Sequence, residues 1–249
     1  HSLERVDELR DAVQRGGARV LVGFQFRFHP TLSRAARLLA GGAIGRPQAV
    51  RAHWGEYLPD WHPWEDFRQG YAARADLGGG VILTLCHPFD YLRMLLGEIT
   101  ALNAFASYGG GLDLPVEETA EVGLRFQSGV VGSVHLNYLQ RPPAHHLEII
   151  GSQGTLRWNN ADGALSVYRA DSGGEGGSGW QTELPPEGFE RNTLFMDEMR
   201  NFLAVARGEA QPVCTLEDGI RALEIALLAR GSAQDGLRKT LRQVEDGGR

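Results

Sequence analysis

Three polar residues recur at intervals of three in one stretch of this chain: Thr84, His87 and Asp90. On a helix this spacing brings the three side chains to one slowly drifting face. A histidine beside a hydroxyl or a carboxylate is common equipment for moving a proton to or from a substrate alcohol. The stretch is therefore a candidate acid/base site. The alternative is a buried histidine satisfied by local hydrogen bonds, which would produce the same pattern.

The residues around this trio predict how it is held. Gly78-Gly79-Gly80 directly precedes it and predicts a tight turn in which backbones approach closely. A helix is expected over residues 83–96, and Pro88 must either kink that helix or start it, because proline cannot donate to the carbonyl of Thr84. With His87 as N-cap, Pro88 would fill the favoured first helical position. Either arrangement fixes where His87 points.

A second set of candidates comes from residues 55–68, where aromatic rings alternate with polar side chains. Rings can stack on the C–H faces of a sugar while polar groups reach its hydroxyls, so this segment indicates carbohydrate binding. A surface loop held down by tryptophans is the alternative. The candidate substrate-binding residues, in this segment and elsewhere, are Arg27, Tyr57, Trp61, His62, Arg68 and Tyr138.

Two further patterns look like a dinucleotide-binding motif and a metal site, but their contexts argue against both functions. Gly174, Gly176 and Gly179 form a G-x-G-x-x-G match, but it lies between two candidate strands with no helix after it. Because no helix N-terminus is available there for a pyrophosphate, we predict a flexible hairpin loop. His145 and His146 are neighbours on a predicted strand and must point to opposite faces, so we expect no metal site.

The elements that would position these residues fall into two regions. Residues 1–45 predict a helix capped by Ser2, a short buried strand over 19–24 and a second helix over 31–40, like the end of a parallel α/β unit. The neighbouring strands that such a unit needs are absent, so either the chain is a fragment or the segment packs in an unfamiliar way. Residues 46–249 predict strands with one polar face and two or three helices. The expected strands are 48–57, 118–126, 130–140, 146–150, 155–158 and 164–169, and the expected helices are 83–96, 193–207 and 216–230.

The fold class that follows is α/β (α+β): an open, mostly antiparallel sheet with helices on one face. Composition sets the outer bounds, since 249 residues with 42% hydrophobic and 22% charged residues are ordinary for a globular protein. A net charge of −6 argues against a nucleic-acid surface, and no apolar run is long enough to cross a membrane. Cys86 and Cys214 are expected to be reduced thiols in a cytoplasmic protein, a disulfide being the less favoured reading.

Several of these segments together resemble the glucose–fructose oxidoreductase / inositol dehydrogenase / MocA family. No single motif is highly specific, but their order and spacing are. The segments that carry the resemblance are Val22-Gly23-Phe24-Gln25-Phe26-Arg27-Phe28-His29-Pro30, Gly42-Ala43-Ile44-Gly45, the stretch from Gly78 to Asp90, Glu148-Ile149-Ile150-Gly151 and Gly154-Thr155-Leu156-Arg157.

The resemblance implies an NAD(P)-dependent oxidoreductase of sugars, polyols or sugar derivatives. It implies that residues 1–45 are the end of a Rossmann dinucleotide-binding domain and its link, and that residues 46–249 form a substrate-binding and oligomerisation domain. By this resemblance, His87 corresponds to the family's substrate-site histidine, and Asp90 corresponds to the aspartate that follows it. Thr84 stands where many members have aspartate, and its spacing to His87 is one residue shorter, so the proton relay is expected to differ.

The family's phosphate-binding glycines and its lysine would lie before His1, so we expect that this chain alone does not bind NAD or NADP. The expected partners are a small sugar-like substrate and further copies of the chain, joined through the open sheet face, with neither nucleic acid nor membrane. A non-catalytic binding or dimerisation module derived from the family is the main alternative. A metal-dependent hydrolase is a more distant one.

Overall fold

The computed structural model describes residues 1–170 and 179–241. The α-helices in these residues are α1 (Val6–Gly16), α2 (Pro30–Ala40), α3 (Val81–Thr84), α4 (His87–Leu96), α5 (Arg191–Arg207) and α6 (Leu216–Asp235). The strands are β1 (Pro47–Tyr57), β2 (Ile99–Tyr108), β3 (Glu117–Phe126), β4 (Val131–Asn137), β5 (Leu139–Gly151), β6 (Gly154–Asn159), β7 (Leu165–Arg169), β8 (Gly179–Glu183) and β9 (Lys239–Thr240).

All of these strands join one sheet, in the order β8-β7-β6-β5-β1-β4-β3-β2-β9. Neighbouring strands are antiparallel except β1 and β4, which run parallel. β1 lies in the middle of the sheet, between β5 and β4, so its inward side chains reach the centre of the core. The predicted open, mostly antiparallel sheet is confirmed.

The helices in the described residues pack on the face of the sheet that carries its buried side chains. α6 packs on β2, α3 on β3 and β4, and α2 on β6 and β7. In β3, Ala120, Val122, Leu124 and Phe126 are buried, while Glu121 and Arg125 between them are exposed. Since burying one large aliphatic side chain contributes about 1.5–3 kcal/mol, this alternation fixes which face of each strand meets the helices.

The first 45 residues differ from expectation. Residues 18–24 form no regular structure, so the predicted strand is wrong. A parallel strand needs a neighbour, and here the Val22 N–H donates instead to the Cys214 carbonyl, 3.1 Å away, in the loop before α6. The predicted cap is also wrong: α1 begins at Val6 after Arg5, and the Ser2 hydroxyl accepts from the Glu4 N–H at 3.0 Å.

Other differences concern element boundaries. The strand predicted over 130–140 is broken at Tyr138, where the Asn137 side chain accepts from the Leu139 N–H at 3.0 Å and β5 starts. β2 and β9 were not predicted, whereas β8 stands where a candidate strand was expected after the glycine-rich loop. The glycine-rich hairpin loop predicted around Gly174 and Gly176 lies outside the described residues, apart from Gly179 at the start of β8.

Two smaller expectations concern cysteines and membranes. Cys86 and Cys214 are both free thiols, as expected. In the part of the chain that the structure describes, no helix has the length and apolar character needed to span a bilayer.

Candidate active site

The triple-glycine turn sets where α3 and α4 begin. Gly80 has φ +104°, a value that disfavours a side chain. A Cβ on Gly79 would stand 2.5 Å from the Tyr71 carbonyl oxygen and 2.7 Å from that of Ala72, so the predicted close backbone approach is confirmed. The buried Glu117 carboxylate then accepts from the Ile82 N–H at 3.2 Å and fixes the first turn of α3.

His87 is the first residue of α4. α3 ends at Thr84, and Pro88 follows His87 in the first turn of the second helix. Pro88 therefore starts a helix, one of the two arrangements predicted. Cys86 is the N-cap residue, however, and His87 lies one position inside the helix instead of capping it.

Aromatic rings surround the His87 imidazole. Its centroid lies 5.2 Å from that of Phe24, 5.3 Å from Phe26 and 5.5 Å from Trp54. Nδ1 is buried and has no hydrogen-bond partner among the described residues, which leaves Nε2 as the nitrogen that can reach a ligand. Burial, with the positive charge of Arg191, lowers the pKa of His87 to about 4. The ring is therefore neutral at pH 7 and can accept a proton.

Thr84, Trp61 and Tyr138 form a second group. The Trp61 ring packs edge-on against Tyr138, with centroids 5.8 Å apart, and the Tyr138 hydroxyl donates to the Ala72 carbonyl at 3.4 Å. Burial raises the pKa of Tyr138, and the nearby Thr84 hydroxyl opposes that rise. Thr84 Oγ1 and Trp61 Nε1 are buried without a partner in the described part of the chain. An unpaired buried polar group costs about 1–3 kcal/mol, so a polar ligand or water that bonded to these atoms would be stabilised.

Arg27 and Asp90 bind each other. The Arg27 Nε and Nη2 atoms donate to the two carboxylate oxygens of Asp90 at 2.9 and 2.7 Å, and Asp90 is 1% exposed. Arg27 also pairs with Asp218 at 3.0 Å. The pair joins the segment before α2 to α4 and the start of α6. Asp90 thus orients Arg27. In the described residues, no hydrogen bond links the Asp90 carboxylate to either ring nitrogen of His87.

Three other predicted substrate-binding residues, Tyr57, His62 and Arg68, make contacts with groups other than His87. The Arg141 guanidinium stacks 3.8 Å over the Tyr57 ring. His62 is exposed and packs against Trp64, with ring centroids 5.4 Å apart. Arg68 is exposed and donates to the Leu112 carbonyl at 3.4 Å. These contacts in the described chain are with local neighbours and not with His87.

Two site residues were missed. His145 lies parallel to Trp54, with centroids 4.3 Å apart, and its Nε2 is 3.2 Å from the Tyr91 hydroxyl. Trp54 could have been found, because the alternation of β1 directs it inward with Val50 and Ala52. His145 was considered only as a metal ligand.

The two neighbouring histidines of β5 pair with different residues of β1: His145 lies opposite Trp54 and His146 opposite His53. His146 lies on the opposite face from His145 and stacks on His53, 4.9 Å away between centroids. Within residues 1–170 and 179–241 no three His, Cys, Asp or Glu side chains are arranged to hold a metal ion.

The triple-glycine turn does not fit a pyrophosphate. A pyrophosphate needs a glycine-rich turn between a strand and a helix, with backbone N–H groups free at the helix N-terminus. The triple glycine follows a 3-10 turn instead, and α3 after it is only four residues long. The N–H groups of Gly79 and Gly80 already donate to Arg74 and Ala72 at 2.8 and 2.9 Å.

Known proteins are similar to this chain in both sequence and fold. The chain is 29% identical over 244 residues to 1,5-anhydro-D-fructose reductase of Ensifer adhaerens, a match covering 94% of the chain and 68% of that protein. It is 27% identical to D-apiose dehydrogenase of Paraburkholderia graminis, over 94% of the chain and 62% of that protein. The chain thus spans about two thirds of the length of these relatives.

Among solved structures, levoglucosan dehydrogenase in complex with NADH and levoglucosan superimposes with a TM-score of 0.85 at 22% identity. The superposition covers 97% of this chain and 71% of that one. The sequence model of the GFO/IDH/MocA C-terminal domain matches residues 32–157, just over half of the chain. The chain belongs to the GFO/IDH/MocA family.

Proposed function

We propose that this chain is the substrate-side part of an NAD(P)-dependent oxidoreductase acting on a sugar, polyol or sugar derivative. The observation that carries the proposal is the His87 imidazole, neutral at pH 7, walled by aromatic rings and placed by a helix start. The named sugar reductase and dehydrogenase relatives support the substrate class. The free thiols support a reducing compartment such as the cytoplasm.

In this proposal His87 handles the proton. Oxidation of an alcohol to a carbonyl releases a proton from the hydroxyl, and the neutral imidazole accepts it; reduction runs the same step backwards. Thr84 can donate or accept one hydrogen bond but carries no charge, so it would orient a hydroxyl without stabilising imidazolium. Residues 1–45 would form the end and link of a dinucleotide-binding domain, and residues 46–249 the substrate and oligomerisation domain.

The proposal is tested by comparing two proteins. The 249-residue chain alone is expected to bind NADH more weakly than micromolar by calorimetry, because the triple-glycine turn in its described residues does not fit a pyrophosphate. Joined to a dinucleotide-binding domain, it is expected to oxidise or reduce a sugar with NAD or NADP, followed by nicotinamide absorbance. Absence of turnover across a panel of sugars and polyols would favour the alternative, a binding or dimerisation module derived from the family.

We also propose that the uncovered sheet face pairs with a second copy of the chain. On this face Phe105 and Val131 are 74% and 47% exposed, and both charge signs are present, as in the Arg157–Glu148 pair. A self-complementary surface of this kind suits a two-fold interface. Light scattering is expected to give at least a dimer. Phe105→Glu should shift the mass to a monomer, whereas Leu9→Glu, at an exposed position on α1, should not. A monomeric parent would contradict the proposal.

A further inference from the structure

A cavity of about 250 Å³ opens beside the aromatic rings that surround His87. It lies between the segment before α2, the turn after β6 and the start of α5. Its polar lining residues are Gln25, His29, Asn160, Asp162 and Arg191, and its aromatic walls are Phe26 and Phe189. The Phe26 ring that forms one wall also contacts the His87 ring, with centroids 5.3 Å apart. The volume is near the low end for ligand pockets and has room for a single small ring.

His29 is a prepared hydrogen-bond acceptor in this cavity. The Thr31 hydroxyl donates its one proton to the Gly163 carbonyl at 2.6 Å and accepts from Trp158 Nε1 at 3.1 Å. His29 Nδ1, 3.0 Å from the same oxygen, must therefore be the protonated nitrogen and donate to it. Nε2 is left with a lone pair and has no partner in the described residues. Burial also lowers the pKa of His29 to about 4, so the ring stays neutral at pH 7.

The other groups in the cavity complement this acceptor. Arg191 forms no ion pair within the described residues, so its guanidinium can donate to a ligand oxygen. Gln25 is 8% exposed and offers both a donor and an acceptor. The lone pair of His29 and the carboxylate of Asp162 both disfavour an anion. An O–H donor with further acceptor oxygens and C–H faces fits, and a neutral polyhydroxylated ring has all three.

We propose that this cavity binds one ring of a neutral sugar or polyol, with His29 Nε2 accepting a hydroxyl proton and Arg191 donating to a ring or hydroxyl oxygen. The choice of a sugar rests on the proposed oxidoreductase function. The ligand would sit against Phe26, the wall shared with His87, so the cavity would hold the substrate or an adjoining ring of it. Nothing in this assignment requires the dinucleotide, and it can therefore be tested by binding alone.

The test uses the 249-residue chain and ligand-detected NMR with levoglucosan, D-apiose and 1,5-anhydro-D-fructose, with inorganic phosphate as the anionic probe. At least one sugar is expected to bind with a dissociation constant of about 1 mM or tighter. Arg191→Gln and His29→Gln should each weaken it about 10-fold or more, the scale of losing one hydrogen bond to a charged or buried group. Ala161→Phe should block the cavity from its exposed rim. Arg200→Gln, on the outer surface of α5, is the matched control.

The possible outcomes distinguish a failure of the proposed sugar-binding cavity from a failure of the proposed oxidoreductase function. Sugar binding that is lost in Arg191→Gln and Ala161→Phe, but kept in Arg200→Gln, supports the site even if no turnover is found. Equal binding in the parent, Arg191→Gln and Ala161→Phe overturns it and leaves the oxidoreductase function standing. Preference for phosphate over all three sugars, or no sugar binding, also overturns it. Should His29→Gln fail to fold, the other two variants still decide.

Discussion

His87→Asn is expected to lower kcat by about 10²–10⁴-fold in a protein that joins this chain to a dinucleotide-binding domain, with KM for the sugar little changed. The neutral His87 imidazole is the group placed to take the hydroxyl proton, and asparagine keeps a polar side chain without that basicity. Steady-state kinetics over pH 6–9 provide the measurement. His146→Asn is the matched control, because His146 is exposed and lies on the opposite face of the sheet from the rings around His87, where it stacks on His53.

A companion variant tests the charge at position 84. Thr84→Asp adds a carboxylate one turn before His87, which favours imidazolium and raises the pKa of His87. The parent rate is expected to stay level between pH 9 and pH 6, because the pKa of His87 is about 4. The Thr84→Asp rate should fall toward pH 6. If His87→Asn keeps near-parental kcat across this range, His87 is only a packed helix residue and the proton-transfer role is wrong.

Alternation and turn chemistry predicted most of the sheet because those signals are local. The sequence of β3 alternates between apolar residues that face inward and charged residues that face outward. The triple glycine predicts a close approach of two backbone segments, which the structure confirms. The predicted strand over residues 19–24 fails for a non-local reason: its backbone bonds to the Cys214 loop, roughly 190 residues further along the chain. A short apolar run does not specify its partner, so the sequence could not decide between a strand and an irregular segment.

In the candidate site, too, the local features could be predicted from the sequence and the contacts between distant segments could not. His87 follows from its motif and from Pro88, which fixes a helix start nearby. The Arg27–Asp90 pair could not be foreseen, because spacing on α4 suggested that Asp90 serves His87, whereas a guanidinium from the segment before α2 binds it. The acceptor role of His29 depends on Thr31, Gly163 and Trp158 meeting at one hydroxyl, a three-way contact between distant segments.

Mild acid is expected to destabilise the protein strongly through its buried histidines. His29 and His87 have a pKa of about 4 in the folded state because they are buried, against about 6.5 when unfolded. Between these values the unfolded chain binds protons that the folded chain does not, so the free energy of unfolding falls as pH drops from 6.5 to 4. At 1.36 kcal/mol per pKa unit, each histidine costs about 2 kcal/mol at pH 5. His145, whose pKa burial lowers well below its usual range, adds to this.

The combined loss at pH 5 is a large part of the roughly 5–15 kcal/mol that stabilises a typical domain. Urea unfolding followed by tryptophan fluorescence at pH 7 and pH 5 gives the measurement. His29→Gln is expected to lower stability at pH 7, since the Thr31 contact is weakened, but to reduce the difference between the two pH values by about 2 kcal/mol, the share of one buried histidine. His62→Gln, at an exposed site, should leave that difference unchanged. A parent equally stable at pH 7 and pH 5 would mean that these histidines already bind protons in the folded state, and would remove the neutral-acceptor roles assigned to both His29 and His87.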